Sequence, residues 1–198
     1  MKKLKPLPNW MRPTLQGVTF WIGHRREFFR GHPLGEASIV AEVCNLIQAN
    51  LHDKRARKLV CEVMFSEFLP GKERQSILTE RARADLVVYK VEGKGKRIPK
   101  HIVEVKRASA SKKSIRNDLD RLIAVKNELP EVRAYLMVIS EKGRPDNFVN
   151  EKGRAITGKQ KTKGGFYHVR RVCKASSSFS RKESAHYACV LEVFSEQV

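Results

Sequence analysis

Asp85 and the run His101-Ile102-Val103-Glu104-Val105-Lys106 hold the side chains in this chain best suited to chemistry. Successive strand residues point to opposite faces, so Ile102, Glu104 and Lys106 share one face while Val103 and Val105 share the other. A carboxylate and an ammonium are then fixed two residues apart on a rigid element. The upstream run Arg83-Ala84-Asp85-Leu86-Val87-Val88-Tyr89 reads as a second strand, and the turn Glu92-Gly93-Lys94-Gly95-Lys96 leads back to the first. Adjacent strands bring Asp85 and Glu104 together. Two carboxylates beside a cation suit a hard divalent metal, which takes oxygen ligands, keeps several waters and neutralises the charge of a phosphodiester. An exposed edge strand with alternating charge is the competing explanation, because 31% of the residues are charged and Glu92-Gly93-Lys94 repeats the spacing in a turn. The apolar flanks of Glu104 favour a buried sheet, where an unpaired carboxylate is costly.

The elements that must position these groups follow from periodicity. From Gly35, the residues Ile39, Val43, Leu46, Ile47 and Asn50 fall on one face of a helix that breaks near His52-Asp53. Glu36 lies beside that face in the first turn and Glu42 on its opposite margin; an acid in a first turn is also favoured by the helix dipole alone. Residues 58–65 read as a strand, followed by a loop around Pro70-Gly71. Ser111 can cap a helix whose buried stripe is Ile115, Leu119, Leu122, Ile123 and Leu129, with Pro130 as its stop. Asp118, at the edge of that stripe, either supports the carboxylate site or pairs locally with Arg121. Residues 132–139 are apolar enough for a parallel strand buried on both faces. Residues 141–165 read as a mobile basic loop. Two last strands, 166–174 and 186–194, form a C-terminal hairpin around Ser176-Ser177-Ser178-Phe179-Ser180. Residues 1–34, rich in Pro, Arg and aromatics (Trp10, Phe20, Trp21, Phe28, Phe29), read as a basic arm that packs on the domain or stacks on bases, and 35–198 as the domain itself.

The chain has 198 residues, suited to one domain, and a formal charge of +19. That charge favours a polyanionic partner: nucleic acid first, a ribosome-associated role second, an anionic membrane surface last for want of a basic amphipathic helix. Cys44, Cys61, Cys173 and Cys189 lack metal-binding spacing and read as small hydrophobes. Pro6 and Pro8 interrupt any signal peptide after the basic start, and no run is long and apolar enough to span a membrane. An intracellular, reducing, cytoplasmic setting is expected. The six histidines are scattered without zinc-ligand spacing, and no P-loop is present. Pro145-Asp146 with Glu151-Lys152 repeats the letters of the central motif without strand character.

The order helix, three-strand meander, helix, strand, with an acid on the first helix, resembles the PD-(D/E)xK, or restriction-endonuclease-like, nuclease superfamily over about residues 35–140. Its motif here is Arg83-Ala84-Asp85 with Glu104-Val105-Lys106, Ala84 standing where the name pattern has Pro. The resemblance implies an α/β fold with a restriction-endonuclease-like core, a mixed central sheet flanked by helices. It implies a Mg²⁺-dependent DNA endonuclease, with Mn²⁺ able to substitute, from a defence system or a mobile element; DNA over RNA rests on the family alone. The implied metal ligands are Asp85, Glu104, the Val105 carbonyl and Glu36, with Glu42 as its substitute, and Lys106 would orient or deprotonate the attacking water. Arg107, Lys112, Lys113, Arg116, Lys142, Arg144, Lys152, Arg154, Lys159, Lys161 and Lys163 are candidates to contact phosphate, which gives affinity without sequence choice. A homodimer or a partner subunit would serve double-strand cleavage. The alternative from another class is a non-catalytic basic nucleic-acid-binding protein, ribosome-associated or structural, in which the acids are only ion pairs.

Overall fold

The computed structural model describes residues 4–28, 32–69, 77–79, 81–176 and 185–196. The loop around Pro70-Gly71, residues 177–180 of the serine-rich turn and Phe29 lie outside the described residues. Strands β1 (Arg57–Met64), β2 (Arg83–Val91) and β3 (Arg97–Arg107) form an antiparallel meander. Helix α3 (Lys112–Glu128), capped by the Ser111 hydroxyl accepting from the Ser114 N–H, then crosses over to β4 (Arg133–Ser140), which runs parallel to β3. β7 (Ala185–Ser195) follows antiparallel to β4, then β6 (Gly165–Ser176), with the short β5 (Gln160–Thr162) at the far edge.

Helices α1 (Met11–Phe28) and α2 (Glu36–Asn50) cover one sheet face through Leu86, Val88, Val103, Val105, Tyr135 and Met137. α3 covers the other through Val87, Ile102, Leu136 and Val138. The result is an α/β architecture, a mixed seven-stranded sheet flanked by three helices. β3 lies between β2 and β4 and is buried on both faces, which removes the edge-strand reading of Glu104 and Lys106. No described helix is long and apolar enough to cross a membrane.

Two regions differ from the sequence expectation. Within residues 1–34, read as an arm, the described residues 11–28 form a helix packed on the sheet: α1 has 18 residues, and its Met11, Leu15, Val18 and Ile22 recur at helical spacing and are fully buried with Trp10. Thr14 and Thr19 bury their hydroxyls against the carbonyls of Trp10 and Leu15, both at 2.7 Å. Phe20 alone among the described aromatics of this stretch stands out, 72% exposed. The second is the stretch 141–165, which is anchored where a mobile loop was expected. Phe148 and Val149 are buried, Val149 bridges Ala155, and Asn150 Oδ1 accepts from the N–H groups of Lys152 and Arg154. Its end pairs as β5 with β6.

Candidate active site

The ladder between β2 and β3 holds Leu86 against Val103, and just beyond it Asp85 turns its carboxylate onto the backbone. Asp85 Oδ2 accepts from the Val105 N–H at 2.7 Å. This fixes Asp85 beside Glu104 on the neighbouring strand, where each carboxyl group acts on the other's proton affinity. On the other side, β1 pairs Cys61 with Leu86 and Val63 with Ala84, so Glu62 and Asp85 drop out of the ladder opposite each other. Glu62 has φ +52°, a left-handed conformation uncommon for a non-glycine residue, and its charge reaches Asp85. Sequence reasoning missed Glu62. The available signal was the same one used for Glu104, an acid inside an apolar strand.

Glu104 is 2% exposed, and among the described residues its Oε1 has no hydrogen-bond partner; Arg121 Nη2 lies 3.9 Å away. Lys106 Nζ sits 2.7 Å from Glu36 Oε1 and 3.3 Å from Asp118 Oδ2. Asp118 also pairs with Arg121 one turn along α3, the local pair expected of it, while its other oxygen faces Lys106. The acid that meets Lys106 from α2 is Glu36; among the described residues Glu42 makes no ion pair with it. Four carboxylates (Glu36, Asp85, Glu104, Asp118) thus face two cations (Lys106, Arg121), a formal excess of two negative charges within a chain of charge +19.

Burial, then the neighbouring Asp85, pushes the Glu104 carboxyl well above the usual carboxylate range. Burial also raises Asp85, against the lowering hydrogen bond from Val105. The two acids behave as a pair in which a proton is the simplest relief of like charge. Burial pulls Lys106 down, but the carboxylates of Glu36 and Asp118 outweigh it and hold the amine above its ordinary value. Lys106 is therefore a firm cation in this arrangement.

The chain matches no protein-family model, no curated protein and no solved structure.

The donor set fits a hard cation in one respect that geometry makes concrete: the orphaned Oε1 of Glu104 and the paired Asp85 are oxygen ligands with an unmet need for positive charge. Among the described residues, no three His, Cys, Asp or Glu side chains converge into a complete cage. Mg²⁺, which keeps several waters, needs only one or two carboxylates. At Val105 the group engaged with Asp85 is the N–H.

The basic residues fall into two groups. Arg107, Lys112, Lys142 and Arg144 gather at the C-terminal ends of β3 and β4, and Lys113 and Arg116 are exposed at the start of α3. Lys152 and Arg154 lie on the turn at Asn150, while Lys159, Lys161 and Lys163 belong to the β5 edge, where Lys159 sits over the Phe166 ring at 3.8 Å. β5 is four strands from β3, roughly 19 Å at the usual inter-strand spacing. Asp146, 75% exposed, pairs with Arg144 and lies apart from the carboxylate cluster. The cysteines are free, but two are not isolated hydrophobes: Cys61 is exposed on β1, and its Sγ lies 3.0 Å from Cys44 Sγ on α2. Desolvation and the neighbouring thiol push Cys61 up to about 12.

Proposed function

We propose that the protein is a metal-dependent endonuclease of the restriction-endonuclease-like class that hydrolyses phosphodiester bonds of DNA. The observation that carries this reading is the pairing of Asp85 with a buried, unsatisfied Glu104 on adjacent strands, next to Lys106, which Glu36 holds from α2. Asp85 and Glu104 would hold Mg²⁺ or Mn²⁺, which when bound supplies charge neutralisation and a water of lowered pKa. Lys106, held as a cation by Glu36 and Asp118, donates hydrogen bonds to the attacking water or to a phosphate oxygen and balances charge developing there. A proton acceptor is the role its ion pairs suit least. Asp118 and Arg121 position Lys106 and Glu104 from α3.

A second reading has one observation of its own. Lys106 and Arg121 already lie against carboxylates, as they would in a basic nucleic-acid-binding module whose acids are only ion pairs. Nicking of supercoiled plasmid with Mg²⁺ or Mn²⁺ separates the two. Wild type should cut, while Asp85→Ala and Lys106→Ala, folded and still binding DNA, should lose at least about 100-fold in rate. Equal behaviour of the three proteins would overturn the endonuclease reading in favour of the binding module.

A further inference from the structure

A cavity of about 710 Å³ opens at the C-terminal ends of β3 and β4, between the segment leading into α2, the start of α3 and residues 139–148. It adjoins the candidate active site. Arg107 directly follows Lys106 in β3, and Pro33 lies three residues before Glu36. Five cations line it (Arg26, Arg107, Lys112, Lys142, Arg144) against two acids, Glu141 and Asp146, a formal surplus of three positive charges.

Both acids are already engaged. Glu141 Oε1 lies 2.7 Å from Arg107 Nη2 and its Oε2 accepts from the Leu34 N–H at 3.0 Å; Asp146 pairs with Arg144 at 3.1 Å. Arg26 is bonded to the backbone carbonyl of Glu141, and among the described residues no acid pairs with the exposed Lys112 or Lys142. The start of α3 adds the positive end of a 17-residue helix whose first turn has no acid. An anion is the ligand this electrostatics selects.

The size and walls select more than a phosphate. The volume lies within the roughly 300–1,000 Å³ typical of small-molecule sites. Ile139, Pro145 and Phe148 contribute apolar wall, and Asn147 an exposed amide able to donate and accept. Negative charge joined to a flat apolar body with a hydrogen-bonding edge describes a nucleotide. A base held in duplex cannot enter such a cavity without leaving the stack, whereas an unpaired one enters at little cost.

We propose that this cavity receives one nucleotide of the substrate strand, phosphate and base together. The substrate of the endonuclease is then a strand with unpaired nucleotides beside the scissile bond, such as a flap, overhang or single strand, and not fully paired duplex. The substrate class rests on the endonuclease reading; the nucleotide site does not.

Two measurements keep these apart. In calorimetric titration of the full-length, metal-free protein, thymidine 5′-monophosphate should bind at least about tenfold more tightly than inorganic phosphate or thymidine. The double variant Lys112→Gln/Lys142→Gln, altered only at exposed positions, should lose about tenfold in that affinity. Equal binding of nucleotide and phosphate, or an unchanged double variant, overturns the nucleotide site whatever the outcome of plasmid nicking. With Mg²⁺, a flapped oligonucleotide should be cut at least about tenfold faster than its blunt duplex; equal rates overturn the substrate class while leaving the endonuclease intact.

Discussion

The two ends of the parallel pair β3 and β4 each bury ionised side chains, and they do so in opposite ways. At the N-terminal end Glu192 of β7 is buried between Arg133 and Arg170, with a carboxylate oxygen accepting from each guanidinium. The spare donors of those arginines bind the carbonyls of Pro6 and Lys5, which ties the chain start to the sheet. Among the described residues, the buried polar atoms nearby without a hydrogen-bond partner are on neutral groups: Trp10 Nε1, His101 Nδ1 and the Tyr135 hydroxyl, the His101 and Tyr135 rings stacking at 6.0 Å. Around Glu104, toward the C-terminal end, four carboxylates meet two cations, and among the described residues the buried atoms without a hydrogen-bond partner include carboxylate oxygens of Glu104 and Asp118 as well as Nε of Arg107 and Arg121. A buried carboxylate whose two oxygens each meet a guanidinium supports the fold, whereas carboxylates left in excess of cations cost stability unless a further cation joins them.

This contrast can be broken most forcefully at the closed end. Glu192→Gln removes the buried charge that two partly buried arginines share, and should lower unfolding free energy by about 3 kcal/mol in urea melts. An unchanged midpoint would mean the triad is not structural. A smaller window lies in pH. Burial, followed by the charges of Arg133, Arg57 and Lys100, lowers His101 to about 4, while in the unfolded chain it takes its proton near 6.5. The unfolded state then binds more protons between those values, so stability is complete above pH 6.5 and falls toward pH 4, by on the order of 3 kcal/mol. Urea midpoints of wild type and His101→Gln across that range should converge as pH falls; parallel curves would remove His101 from the account.

At the open end the sign reverses. A carboxyl raised by burial penalises the fold above the unfolded pKa near 4.5 and not below it, so Glu104→Gln should stabilise the metal-free protein at neutral pH by about 1–2 kcal/mol. Mg²⁺ should stabilise wild type by a similar amount, about 1.4 kcal/mol at ten times its dissociation constant, and leave Glu104→Gln almost unmoved. Thermal melts with and without metal read both effects. Destabilisation by Glu104→Gln would place this cluster with the closed one.

The alternation around Glu104 and Lys106 was legible because facing in a strand is a local property, set by a period of two within six residues. The meander, α2, α3 and the buried fourth strand were legible for the same reason. Helix α1 was obscured by reading composition ahead of period, since Met11, Leu15, Val18 and Ile22 form a helical stripe beneath the Pro, Arg and aromatic content. Glu62 carried the same local signal as Glu104, an acid inside an apolar strand, but its positive φ and its place opposite Asp85 belong to the folded sheet.

From its sequence alone the protein declares a strongly basic surface, an α/β order of elements and an acid and a lysine sharing one strand face. The choice of Glu36 over Glu42, the double engagement of Asp118, the triad around Glu192 and the cavity beside Arg107 were decided only by the tertiary structure. Glu36 and Lys106 are 70 residues apart and Arg133 and Glu192 are 59 apart. No local period relates such positions. They meet because burying two apolar sheet faces under helices leaves one way for the chain ends of β3 and β4 to be lined, and charge is then satisfied, or left wanting, by whichever side chains that packing delivers.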